Sequence, residues 1–405
     1  MSYIFNNAVK YSDSTNLDAF GRLRVSEITS LLETTHVNSD GLLFEDEATT
    51  GTTTSIWDQP NAQIIMSATG TSYIIRQTFR KAPYQPGKSQ LFEASFSNFE
   101  IQEDVIKRVG AFTTSTSSLD EYDTDYDGFF LESNGITNEI SFQVWKTGDL
   151  SFSASTTSWD SNQIDPLSID WSLTNLIFVD FQWLGVGRIR FGMVIEGVLY
   201  FFSQNWGVNN LTNVYMSSPN KPIRYEIRTY GNTGQFNKIC SQLSQEGSIN
   251  TLNIPVSVLR TSSVSLATSG IKYPVIGYRI NPNYPNISPE LLGVGILTTT
   301  NDDYILTLEK NPIITGGSYS YSASTNDAIQ YMITNGTPTV SSSGLIMTSF
   351  YGEGNSSNST TFTLKDSELK PGIAIDGTPD EVWVCITPLS NSLGIYGSLN
   401  IEYHK

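Results

Sequence analysis

The stretch Asp123-Thr124-Asp125-Tyr126-Asp127-Gly128 comes closest to a chemical site in composition and spacing. Three carboxylates at alternate positions, closed by a glycine that permits a tight turn, present the hard oxygens that calcium takes as ligands. Asp120 and Glu121, just before them, add negative charge that a cation would relieve. An EF-hand loop would need a bidentate Glu at its twelfth position; that position is Asn134, and Glu132 stands two residues early. Asp123, Asp125 and Asp127 are therefore candidate ligands of a structural calcium, against the alternative of a solvated acidic loop. No other cofactor is expected.

The remaining reactive residues do not assemble into a catalytic set. The chain has 2 histidines, His36 and His404, one near each end, so neither a Ser-His-Asp arrangement nor a histidine zinc site can be built. Gly185-Val186-Gly187 is a GxG without the helix a phosphate cradle needs, and it reads as a turn. Glu93, Glu132, Asp180 and Glu196 are the carboxylates that could pair across a cleft for glycoside hydrolysis, but 40 acidic residues make such pairs easy to imagine. Trp57, Trp145, Trp159, Trp171 and Tyr215 are expected in the core, where most aromatics lie. Trp206, in FSQNWGVNNLTN, which reads as a polar loop, is the candidate for stacking on a glycan. A non-enzymatic protein is the expectation.

These residues must be positioned by strands. In IFVDFQWLGVGRIRFGMVIEGVLYFF (177–202), Val179, Phe181 and Trp183 alternate with Asp180 and Gln182. After the glycine turn, Ile189, Phe191, Met193 and Ile195 share a face opposite Arg188 and Arg190. Period-two patterning is the mark of strands. Gly185–Gly187 and the Glu196-Gly197 pair cut the stretch into a three-strand meander. Similar runs recur from Leu42 to Glu246, among them 72–79, 90–96, the pair around Ser133-Asn134-Gly135, and 222–228. Two sheets with inner faces of Phe, Ile, Val and Trp fit this run. The order of its elements is similar to lectin-type jelly rolls of the concanavalin or laminin-G kind.

The expected class is thus all-β: an extended N-terminal arm (1–38), an antiparallel jelly-roll sandwich (39–246), a linker (247–254) and a second, smaller β-sandwich (255–405). The arm has too few apolar residues to fold alone and must lie on its own body or on a neighbouring chain. A net charge of −17 sets the chain against nucleic acid. No apolar run approaches the ~20 residues of a membrane span, and the first residues lack a signal-peptide pattern, so synthesis in a cytoplasm is expected. Cys240 and Cys385 are too few for a disulfide framework.

Three segments taken together, DAFGRLRVS (18–26), WLGVGRIRFG (183–192) and PIRYEI (222–227), carry a resemblance. The chain resembles a group of virion-associated structural proteins of tailed bacteriophages, also met in large DNA viruses. In this chain the first segment continues as Glu27-Ile28-Thr29-Ser30-Leu31, without the Pro and Phe-Asp expected next. The resemblance implies a virion subunit, decorating the capsid, forming a head fibre or sitting on the tail. Such a subunit is oligomeric, with a trimer in view, and other virion proteins are its partners. Phe20, Arg22 and Arg24 are then the expected assembly residues, with Arg188 and Arg190 as further candidates for contacts between subunits. Alternatives are an adhesin for host-surface glycan and, ranked last, a polysaccharide depolymerase.

Overall fold

The computed structural model describes residues 17–19, 22–116, 122–159, 165, 168–207, 209–248, 253–316, 320–321, 328–354, 359–363, 370–390 and 392–404. The strands before residue 247 are β1 (Ile28–Thr34), β2 (Glu45–Asp58), β3 (Gln63–Thr78), β4 (Gln90–Ser97), β5 (Val105–Thr113) and β6 (Asp127–Asn134). They continue with β7 (Glu139–Lys146), β8 (Asp149–Ser155), β9 (Asn175–Phe181), β10 (Arg188–Ile195), β11 (Val198–Trp206) and β12 (Ile223–Glu246). All pairings are antiparallel, as alternation joined by short turns requires.

β12, with 24 residues, is long enough to serve two layers. Its first part, to Tyr230, lies between β3 and β5, and that layer continues through β6, β7 and β8. Its second part, from Thr233, lies between β3 and β4, and the other layer continues through β9, β10 and β11. The crease falls at one level in three neighbouring strands. Register breaks lie between Thr50 and Thr52 of β2 and between Tyr230 and Thr233 of β12, with Gly70 of β3 between them. Gly51, Gly70 and Gly231 have φ of 68°, 75° and 136°, which a side chain would resist.

Ring contacts join strands that share no hydrogen bonds, which marks the sandwich interior. Phe92 of β4 meets Phe129 of β6 at 5.6 Å, Phe129 meets Phe181 of β9 at 5.1 Å, and Phe142 of β7 stacks on Phe191 of β10 at 4.8 Å. One continuous cluster of buried side chains runs through both layers. The meander matches its sequence reading: Val179, Phe181, Ile189, Phe191 and Met193 are core, and Glu196 and Gly197 turn at φ 53° and 78°. Ile28–Thr34, within the segment read as an arm, is a strand added to β12, so this part lies on its own body, one of the two placements expected for it. The run FSQNWGVNNLTN is not a loop throughout, since β11 continues to Trp206.

The second part holds β13 (Asn253–Leu259), β14 (Val264–Leu266), β15 (Tyr273–Ile280), β16 (Ser288–Thr298), β17 (Tyr304–Lys310) and β18 (Ile313–Thr315). After these come β19 (Ile329–Ile333), β20 (Thr339–Ser342), β21 (Leu345–Gly352), β22 (Ser359–Thr363), β23 (Glu381–Pro388) and β24 (Leu393–His404). One sheet runs β13-β24-β16-β22, with β14 also on β24, and another runs β19-β15-β23-β17-β21. A second buried cluster draws on both sheets. The two parts meet where Ile375 packs on Tyr73 and Ile75 and its amide donates to Asp46 Oδ2 at 2.7 Å. Nearby, the Ile373 amide donates to the Phe79 carbonyl at 2.9 Å.

Candidate functional site

The acidic loop leads into β6, and its carboxylates do not converge. Asp123 Oδ1 accepts from Arg108 Nη1 at 3.1 Å and from the Tyr126 hydroxyl, while Oδ2 accepts from the Tyr230 hydroxyl at 3.0 Å. Asp127 accepts from the Ser217 amide at 2.8 Å, from the Ser217 hydroxyl and from Lys221 Nζ. Asp125 lies exposed between them at φ 54°. Arg108 and Lys221 thus engage Asp123 and Asp127, two of the three candidate calcium ligands. Among the described residues no group of three His, Cys, Asp or Glu side chains could hold a metal ion. The structure does not bring Asp123, Asp125 and Asp127 together. Spacing alone does not show which cations the fold brings to the loop.

Next to this loop lies a buried ionic hub on β12. Strand alternation sends Ile223, Tyr225 and Ile227 into the core and leaves Arg224, Glu226 and Arg228 on the opposite face. Glu226 Oε2 accepts from Arg224 Nη2 at 2.6 Å, and Oε1 accepts from Arg108 Nη1 at 2.6 Å and Arg228 Nε at 3.5 Å. Arg108 Nε also donates to Glu132 Oε2 at 2.6 Å. Burial alone would raise the Glu226 carboxyl; the guanidiniums of Arg224, Arg228 and Arg108 overcome this and hold it well below the usual carboxylate range. The hub therefore stays ionised at neutral pH.

A second ionic group ties the N-terminal segment to the meander. Arg190 Nη2 donates to the Leu17 carbonyl at 2.7 Å and to Asp180. Arg188 donates to the carbonyls of Ala19 and Asp18 at 3.0 and 3.2 Å. Arg24 bridges Asp180 at 2.8 Å and Glu246 at 3.0 Å, and Arg22 Nε donates to Asp18 Oδ2 at 2.8 Å. Within the chain, Arg24, Arg188 and Arg190 anchor the segment to its own body, and Arg22 also donates to the Gly87 carbonyl at 3.0 Å. Phe20 lies outside the described residues. On the other side of the same segment Leu23, Val25 and Ile28 are 47%, 86% and 59% exposed.

The other candidates are dispersed. Glu132 and Asp180 are taken up by guanidiniums, and Glu196 sits in the β10–β11 turn. Trp159, Trp171 and Tyr215 are core, and Trp57 donates its Nε1 hydrogen to the His36 carbonyl at 2.7 Å. Trp206 ends β11 opposite Arg188; its side chain, with the proposed glycan contact, lies outside the described residues. His404 pairs in β24 far from His36 in sequence, and its side chain is likewise outside them.

The sequence does not foretell two cavities. One, of about 910 Å³, lies between the β6–β7 turn and residues 168–171. Another, of about 620 Å³, lies between loop 35–45 and the side of the second part that carries Lys310 and Lys370. Over this second cavity His36 is 0% exposed, with the Ser39 backbone beside its ring. Burial, with Lys238 and Arg76 beside it, draws the imidazole down to about 3.

No family model and no curated protein matches the sequence. Solved structures do match. The metal-free Emp46p carbohydrate recognition domain has 9% identity and a TM-score of 0.35, over 53% of this chain and 94% of that one. A Bacillus licheniformis β-glucanase has 10% identity and 0.35, over 55% and 99%. An endo-β-1,4-glucuronan lyase from Trichoderma reesei has 9% identity and 0.34, over 54% and 96%. At these values the likeness is one of fold alone. The chain's own antiparallel sheets bear out the expected all-β class. The expectation of a non-enzymatic protein is corrected: structures named as a glucanase and a lyase are among those the chain matches.

Proposed function

We propose that this chain is a structural subunit of a particle, of the kind met among the virion-associated proteins of tailed bacteriophages. It joins its neighbours through the segment Leu23 to Ile28. An inversion carries the reading. On a soluble surface a short extended segment turns its apolar side chains in and its charges out. Here Arg24 turns in, toward Asp180 and Glu246, while Leu23, Val25 and Ile28 face outward. Grouped exposed apolar side chains are what an interface uses. The arginines of the three motif segments support the same reading, since they build framework rather than a reaction site. Further copies of the chain and other particle proteins are the partners in view. Sedimentation and particle incorporation of Val25→Asp test it: the variant should dissociate or be left out while keeping its circular dichroism. A folded Val25→Asp protein that assembles as the parent does would sink the idea.

Glycan binding is a second reading, favoured by the larger cavity. Its wall carries Glu100, Asn138, Glu139 and Asp170 beside Trp171, hydrogen-bonding groups next to an aromatic ring. A glycan array with the parent chain and Asn138→Ala tests it. A blank array removes this reading.

A further inference from the structure

We infer that the side chains of Lys81 and Asn286 form an isopeptide cross-link between the two sandwiches. Lys81 lies just past β3 and Asn286 between β15 and β16, so the link would join parts of the chain with separate cores. Lys81 Nζ stands 2.9 Å from Asn286 Oδ1. A carbonyl bond is ~1.2 Å long, so the amine lies within about 4 Å of the Asn286 amide carbon. That is close to the ~3–3.5 Å separation of a near-attack arrangement.

The backbone on both sides of the pair is fixed. The Ala82 amide donates to the Lys221 carbonyl at 3.1 Å, which sets the chain at Lys81. Asn220 ties the Asn286 backbone to the segment that follows Lys81: its Nδ2 donates to the Asn286 carbonyl at 2.8 Å, and its Oδ1 accepts from the Tyr84 amide at 2.8 Å. The electrophile is thus fixed to a residue three places beyond the nucleophile.

The reaction needs a neutral amine. Burial, aided by the charge of Lys221 and opposed by Asp127, draws Lys81 down to about 7, so a large share is uncharged at neutral pH. In the step itself the Nζ lone pair attacks the Asn286 amide carbon and a C–N bond forms. The bond from that carbon to the side-chain nitrogen then breaks, and ammonia leaves. The proton lost by Nζ is the one gained by the departing nitrogen, so no oxidant, reductant or co-reactant is required. The buried ion pair of Lys221 and Asp127, next to Lys81, is the local carrier for that proton. The product would lock a junction otherwise held by contacts such as those of Ile373 and Ile375.

Intact-mass spectrometry of the full chain under denaturing conditions tests this, followed by tryptic digestion and tandem spectra. The chain should be lighter by one ammonia than its sequence requires. Trypsin should fail to cut at Lys81, leaving a branched peptide that carries the Asn286 fragment. Lys81→Arg should restore the full mass, because the guanidinium does not attack. The full sequence mass with two linear peptides overturns the inference. So does an ammonia loss that maps to any other residue.

Discussion

Asp180 of β9 and Arg190 of β10 stand directly opposite one another, paired side chain to side chain and almost wholly buried. Arg190 also reaches the Leu17 carbonyl, and Arg24 returns from the same segment to Asp180. One carboxylate thus pairs with two guanidiniums, Glu246 sharing Arg24, and seats the N-terminal segment. Removing one member of a buried ionic group leaves the rest uncompensated, at about 3–5 kcal/mol. Asp180→Ala should lose stability of that order in urea. Limited proteolysis should then cut between residues 17 and 26 faster than in the parent. Unchanged cleavage there would mean that the segment is held by something else.

How much of this arrangement is legible beforehand differs from element to element. The meander can be read because alternation and turn residues agree over three consecutive strands. β2 cannot, since Glu-Asp-Glu-Ala-Thr-Thr-Gly-Thr-Thr-Thr has no apolar alternation, and its place comes from pairing with β3 along its whole length. Arg188 and Arg190 are legible as a face opposite the core. What covers that face is not, because the cover arrives from Leu17 to Ala19, distant in sequence. The acidic loop is illegible for the same reason: Arg108 of β5 and Lys221, just before β12, reach it from elsewhere in the chain.

The hub at Glu226 makes stability fall in acid. Its folded carboxyl is held below the unfolded value near ~4.3. The stabilisation is therefore complete above that value and is lost as pH falls through the lower folded one. Glu226→Gln should be less stable than the parent at pH 7, by several kcal/mol in denaturant titration. The gap should narrow toward pH 3. A gap that stays constant with pH would show that the carboxylate charge is not what matters.

Gly51 and Gly70 separate two costs at the crease. Both have positive φ, but a Cβ at Gly51 would lie 2.2 Å from Ser72 Oγ and 2.8 Å from the Thr71 carbonyl, whereas one at Gly70 meets nothing within 4 Å. Gly70→Ala should carry only the backbone strain of about 1 kcal/mol. Gly51→Ala should carry the same strain and the clash as well, so its melting temperature should drop further. Equal melting temperatures would place the crease elsewhere.

His36 gives a second and separate acid sensitivity. Loop 35–45 closes over the ring at Gly41, and Arg76 and Lys238 flank it. Glu45 pairs with both of those cations, and Glu47, also on Arg76, completes the balance of charge. Neither carboxylate is given over to the imidazole, whose favourable neighbour is the Ser39 backbone. Protonation would therefore add positive charge beside Arg76 and Lys238 in a buried site, a cost that the Ser39 backbone only partly offsets. The folded value of about 3 lies below the free value near 6.5, so the neutral form is the one folding selects. Stability from this group is full above pH 6.5 and declines as pH falls toward 3. His36→Leu removes the proton site while keeping an apolar side chain under the loop. Its melting temperature should vary less than the parent's between pH 6.5 and 4, a range that lies mostly above the fall caused by Glu226. Parallel melting curves for parent and variant across that range would show that His36 takes up no proton on unfolding.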